Sequence, residues 1–162
     1  MSNLSEPQLV LAGLGNRFMS DDAIGLLLIE SLREDWPEKV QLCLWESPDP
    51  LNIALALLEI KHPLVLSDCA DMGLCPGEFQ WFNERQCRWC SPSSLVSTHG
   101  IGFEEGLQLA RTLGFEEELY FFGIQPERMM PGEQLGPVLS QSFDLIRMGL
   151  KAHVEQLLHH LV

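Results

Sequence analysis

Apolar residues along the chain fall into two alternating patterns. Gln8 to Gly13 is a short apolar strand that runs into a Gly-rich turn, Gly13-Leu14-Gly15-Asn16. Ile24, Leu27, Leu28 and Leu32 then recur at helical spacing behind Ser20-Asp21-Asp22, a Ser cap followed by acids suited to a helix N-terminus. Val40 to Trp45 alternates as a strand, with Val40, Leu42 and Leu44 on one face and Cys43 and Trp45 on the other. Pro50 opens a helix over Leu51 to Ile60. Pro63 to Asp68 is nearly continuous in apolar residues, as in strands buried on both faces of a parallel sheet. After the turn Pro76-Gly77, Glu78 to Phe82 alternates again, and Asn83 to Ser97 reads as irregular. A helix is predicted from Thr98 to about Leu113, a strand over Leu119 to Ile124, and a last helix over Pro137 to Leu161. That helix places Leu139, Phe143, Ile146, Leu150, Val154, Leu157 and Leu161 on one stripe.

The order β-α-β-α-β-β-α-β-α predicts an α/β fold, a three-layer α/β/α sandwich on a mostly parallel twisted sheet of about five strands, one of them antiparallel. No repeat or linker divides it, so residues 1–162 are expected to form one domain.

Composition narrows the function. The formal net charge of −13 speaks against nucleic acid and against an anionic membrane surface as partners. Met1 to Pro7 has neither the basic nor the apolar region of a signal peptide. No apolar run approaches the roughly 20 residues that span a bilayer. Five cysteines, an odd count, fit reduced thiols and a cytoplasmic protein.

In parallel sheets the functional crevice lies beyond the carboxyl ends of the strands. This selects the turn Gly13 to Asp22 and the residue Asp68. A dinucleotide fingerprint fails there because Phe18 stands where its third glycine is needed, and a phosphate-binding P-loop fails for lack of Gly-Lys-Ser/Thr. What the turn offers is carboxylate. Asp21 is read as a helix cap; Asp22 and Asp68 are candidate functional acids, a reading that the family resemblance given below favours over capping. His99 lies at a predicted helix start, where the dipole keeps the ring neutral and able to bind metal. Asp22, Asp68 and His99 come from three elements and suit a borderline divalent ion such as nickel, zinc or iron, with positions left open. His62, His153, His159 and His160 lack a partner pattern and read as surface residues. Cys87-Arg88-Trp89-Cys90 lacks the second ligand pair of a structural zinc site. The absence of Gly-x-Ser-x-Gly counts against a serine nucleophile.

Four segments in order, Leu14 to Gly25, Ser67 to Glu78, Ser97-Thr98-His99 and Phe122 to Pro126, resemble the hydrogenase maturation endopeptidases, most closely the type serving the formate-hydrogenlyase (hydrogenase 3) enzyme. The resemblance runs over about residues 8 to 150. It implies a three-layer α/β fold and an aspartyl-type endopeptidase activity that removes the C-terminal extension of a [NiFe]-hydrogenase large-subunit precursor after nickel insertion. It also implies that Asp22, Asp68 and His99 are both the catalytic and the metal-contacting residues. Nickel is then supplied by the substrate, with no permanently bound metal expected, and the partner is the precursor, met by a monomer. Two places depart from the family pattern. Ser20 and Ala23 flank the acid pair where many members have Gly, and Glu46-Ser47-Pro48 stands where many have Asp-Gly-Gly.

Other readings compete. A peptidyl-tRNA hydrolase also begins with a strand leading into Gly-Leu-Gly-Asn, but it needs a histidine that residues 17 to 25 do not supply. A non-catalytic nickel-sensing or chaperone-like module would bind the precursor without cutting it.

Overall fold

The computed structural model describes residues 6–85, 96–97 and 100–162. Its strands and helices follow in the order β1 (Leu9–Gly15), a 3-10 turn (Ser20–Ala23), α1 (Ile24–Ser31), β2 (Val40–Glu46), α2 (Pro50–Glu59), β3 (Leu64–Asp71), β4 (Phe79–Asn83), β5 (Val96–Ser97), α3 (Gly100–Thr112), β6 (Leu119–Ile124) and α4 (Pro137–His160). The main path of the sheet is β2-β1-β3-β6-β4. β1 pairs in parallel with β2 and β3, and β3 in parallel with β6, while β4 runs antiparallel to β6.

Two apolar layers enclose this sheet. On one face Leu9, Leu11, Val65 and Phe122 pack with Ile24 and Leu28 of α1 and with Leu139, Ile146, Leu150 and Val154 of α4. On the other, Val10, Ala12, Leu64 and Leu66 pack with Ile53 and Leu57 of α2 and with Phe103 and Leu107 of α3. The alternation of odd and even positions along β1 and β3 thus feeds both cores, which is why these strands read as unbroken apolar runs. Among the described residues, no helix is long and apolar enough to cross a membrane.

Several elements differ from the sequence reading for identifiable reasons. β1 continues through Leu14 and Gly15, because the parallel ladder to β2 extends to the pair Gly15 and Glu46. β3 runs to Asp71, three residues past Asp68, since Cys69 still pairs with β6 and Ala70 and Asp71 pair with the two-residue β5. That short strand lies inside the stretch read as irregular and gives the sheet a second antiparallel member. In α4 the stripe drifts, so Leu158 is buried and Leu161 is 38% exposed, as a helix of 3.6 residues per turn requires. His153 is not a free surface residue. Its ring stacks on Trp81 at 4.9 Å and 6°, and burial lowers its pKa.

Tight packing sets the first turn against β3. A Cβ on Gly25 would lie 2.4 Å from the Leu14 carbonyl oxygen and 2.5 Å from that of Ser67, so α1 rests directly on the backbone of two strands. Gly25→Ala is therefore expected to destabilise by about 2 kcal/mol or more, read as a lower urea midpoint. A midpoint within error of the parent would refute this contact. The shift at His153 also has a sign. The unfolded chain, with imidazole near about 6.5, binds the proton more readily than the folded one, so stability rises with pH through the window just below that value. His153→Phe should flatten this slope in urea titrations between about pH 5 and 6.5, and an unchanged slope would exclude His153 as its source.

Candidate active site

The parallel order brings the ends of β1 and β3 together. Asp22 sits in the 3-10 turn after β1 and is 2% exposed, and Asp68 lies in β3 and is 7% exposed. Ladder pairing of β3 to β1 ends at Ser67 with Gly13, so Asp68 is the first residue beyond it. Both carboxylates act on one nearby group. The Cys69 thiol is pushed far above its usual pKa, first by burial and then by the charges of Asp68, Asp22, Asp21 and Asp71. Held protonated, and with its Sγ 3.7 Å from Met129 Sδ, Cys69 is no thiolate nucleophile.

His99 lies outside the described residues, as do Thr98 and the pair Cys87 and Cys90. The described chain reaches Ser97, which pairs with Ala70, and resumes at Gly100, the first residue of α3. Among the described residues, no three His, Cys, Asp or Glu side chains lie together as a metal-holding group.

Asp21 has a different role from a cap on its own helix. It is fully buried, and its Oδ2 accepts the N–H groups of Glu127 at 2.9 Å and Arg128 at 2.7 Å, while Oδ1 accepts that of Gly136 at 2.7 Å. Gly136 is the N-cap of α4. The carboxylate therefore fastens the loop between β6 and α4 onto the turn that carries Asp22. Backbone bonds reinforce it: Ser20 N–H donates to Gly132 O at 2.9 Å, Gly132 N–H to Phe18 O at 2.9 Å, and Asp21 N–H to Arg128 O at 3.2 Å. The reason the cap reading fails is that no side chain caps the 3-10 turn.

Gln125, to which the sequence reading assigned no role, braces the opposite side. It is 7% exposed, its Oε1 accepts the N–H of Met72 at 2.7 Å and of Leu74 at 3.3 Å, and its Nε2 donates to Asp71 Oδ1 at 3.1 Å. That bond, followed by the Gly73 N–H, lowers the pKa of Asp71. An amide side chain directly after the apolar run of β6 and before Pro126 was the available signal. At the rim, Arg17 bridges Glu30 of α1 and Glu46 at the end of β2, and the Glu30 carboxylate raises its pKa.

Both Ser departures from the family pattern carry left-handed backbone. Ser20 has φ 50° and Ser47 φ 44°, the positive-φ residues other than Gly among the described residues. Serine here adopts the conformation that glycine makes easy. At Ser20 the hydroxyl donates to Met130 O at 2.8 Å, which offsets part of the strain.

With this geometry in view, the relatives of the chain can be compared. The family model described as HycI, hydrogenase maturation protease, matches residues 48–152. The chain belongs to the hydrogenase maturation protease family. Within it, the hydrogenase 3 maturation protease of Escherichia coli strain K12 is 30% identical over 120 residues, 73% of this chain and 72% of that protein. The hydrogenase expression/formation protein HoxM of Azotobacter vinelandii is 26% identical over 161 residues, 94% of this chain and 75% of its own length. For HupD of Thiocapsa roseopersicina the identity is 27% over 123 residues, 75% of this chain, and the chain spans 56% of that relative's length. The solved [NiFe] hydrogenase maturation protease HybD from Thermococcus kodakarensis superposes with a TM-score of 0.71 at 22% identity, covering 90% of this chain and 97% of that one. An endopeptidase from Escherichia coli superposes with a TM-score of 0.76 at 19% identity over 92% and 93% of the two chains. At these identities the structural likeness is one of fold, and it agrees with the α/β architecture expected for the family.

If Asp21 is the staple described, Asp21→Ala strands three amide donors and should lower stability by about 3 kcal/mol. Urea unfolding measures this, and a loss below about 1 kcal/mol would show that the loop is held by other means.

Proposed function

We propose that this chain is an endopeptidase that removes the C-terminal extension of a [NiFe]-hydrogenase large-subunit precursor, of the hydrogenase 3 type, once nickel has been inserted. It does so in the cytoplasm, as a monomer, with Asp22, Asp68 and His99 contacting the nickel. The observation that carries this reading is the burial of two carboxylates at the adjoining ends of β1 and β3 in a chain of this family. Two carboxylates and one imidazole suit a borderline divalent cation and leave open positions for the substrate's own groups. The nickel belongs to the substrate, and its fit to these side chains is the signal that the precursor is loaded.

Because Cys69 stays protonated and no serine elbow exists, water is the nucleophile in this reading. Water adds to the scissile carbonyl carbon, a carboxylate accepts the water proton, the carbon–nitrogen bond breaks and the leaving amine takes up a proton. The substrate's nickel, contacted by Asp22, Asp68 and His99, would supply the positive charge that polarises a carbonyl.

Asp22→Asn and His99→Ala are expected to lower kcat/KM on nickel-loaded precursor by at least about a hundredfold while the circular dichroism spectrum stays that of the parent. Full processing by both variants would overturn the site. A stable complex of the parent chain with precursor, without a shortened product, would overturn the protease reading in favour of a binding module.

A further inference from the structure

β2 is a margin of the sheet. All seven of its residues pair with β1 in one unbroken register, and among the described residues no strand lies on its other side. Two bonds show which peptide groups face outward. The Lys39 carbonyl accepts the Gln8 N–H at 2.8 Å, and the Ser47 N–H donates to the Gly15 carbonyl at 2.9 Å. Peptide groups of alternate residues in a parallel strand point to the same side, so the odd-numbered residues serve β1. Val40, Leu42, Leu44 and Glu46 turn their N–H and C=O groups outward. Trp36 O takes the Val40 N–H at 3.3 Å, which among the described residues leaves Leu42, Leu44 and Glu46 as an open row.

Proteins usually blunt such an edge with Lys, Pro, a bulge or a covering loop. Val-Gln-Leu-Cys-Leu-Trp-Glu contains neither Lys nor Pro, its register has no bulge, and Leu44 is 39% exposed. The edge also leads into the site. β2 neighbours β1, whose following turn holds Asp22, and Arg17 of that turn reaches Glu46 at 3.3 Å. The other margin, β4, is separated from β3 by β6.

We propose that the outward edge of β2 receives the precursor's C-terminal extension as an added antiparallel strand. This rests on the protease reading above. Its direction follows from the placement of the site. The scissile bond lies at the carboxyl end of the sheet, and the extension is the chain that continues beyond it. To lie along β2 it must run from Glu46 back toward Val40, opposite to β2 itself. An antiparallel edge on a parallel sheet is a common arrangement, and β4 already makes one at the opposite margin. Main-chain bonds to Leu42, Leu44 and Glu46 would hold the extension taut while leaving its side chains free to vary.

Cleavage of nickel-loaded precursor by the parent chain and by Leu42→Pro and Leu44→Pro tests this. Each Pro removes one outward N–H and leaves the ladder to β1 intact. KM is expected to rise about tenfold, with the loss falling in KM rather than in kcat. A second arm leaves the enzyme untouched and uses semisynthetic precursors whose extension is N-methylated at alternate residues. One of the two alternate sets should raise KM and the other should not. If the parent cleaves and neither the Pro variants nor N-methylation changes KM, the edge assignment is overturned. A parent dimer in light scattering that Leu44→Pro converts to monomer would give the edge to a second copy and overturn it equally. If the parent leaves the precursor uncut, it is the protease reading itself that fails.

Discussion

A buried carboxylate is costly unless hydrogen bonds replace its water, and the three amide bonds to Asp21 meet that requirement with backbone alone. Much else depends on them. They fix the loop between β6 and α4 against the turn after β1, and through Gly136 they set where α4 begins. α4 in turn covers one face of the sheet with Leu139, Ile146, Leu150 and Val154. The same turn is pressed onto β3 by the close approach of Gly25 to the Ser67 carbonyl. Asp22 is thus held between two constraints that act on its neighbours in the chain.

Much of the fold was legible because β1 and β3 face an apolar core on both sides and leave a continuous signature. The strand-end rule pointed to the turn Gly13 to Asp22 and to Asp68, and the family resemblance then singled out Asp22 within that turn. What sequence could not reveal were partnerships between distant residues. Asp21 looks like a helix cap in its local context, and its role depends on amides more than a hundred positions away. Gln125 acts on Met72 and Leu74, and His153 owes its burial to Trp81. Asp49, which caps α2 by accepting the Asn52 N–H at 2.8 Å, was overshadowed by the more conspicuous Pro50. Among the candidate site residues, His99 was selected by a helix start and by the family resemblance, and it lies beyond the described chain.

The two serines at positive φ separate backbone shape from residue identity. A left-handed residue other than Gly is disfavoured by about 1 to 2 kcal/mol, so such positions persist where the surroundings enforce them. Ser20 is enforced on both sides, by its N–H on Gly132 and its hydroxyl on Met130. Ser47 is held by its N–H on the Gly15 carbonyl at the end of the β1–β2 ladder. At these two positions serine therefore takes up the left-handed conformation that glycine makes easy, held there by its neighbours.

The net charge of −13 acquires meaning only when the acids are sorted by what their oxygens contact. Asp21 is committed to amides of its own chain, Glu30 and Glu46 to Arg17, and Asp35 to Arg147 and Lys151. Those carboxylates are spent on holding elements together. Asp22 and Asp68 stand out by position: both are buried at the ends of neighbouring parallel strands, and the charges of both raise the pKa of the Cys69 thiol. Such an arrangement is stabilised by a positive ion, and in the proposed reading that ion arrives already bound to the substrate. In that reading, contact of these acids with the substrate's nickel is what separates loaded precursor from unloaded, and one site serves both recognition and cleavage.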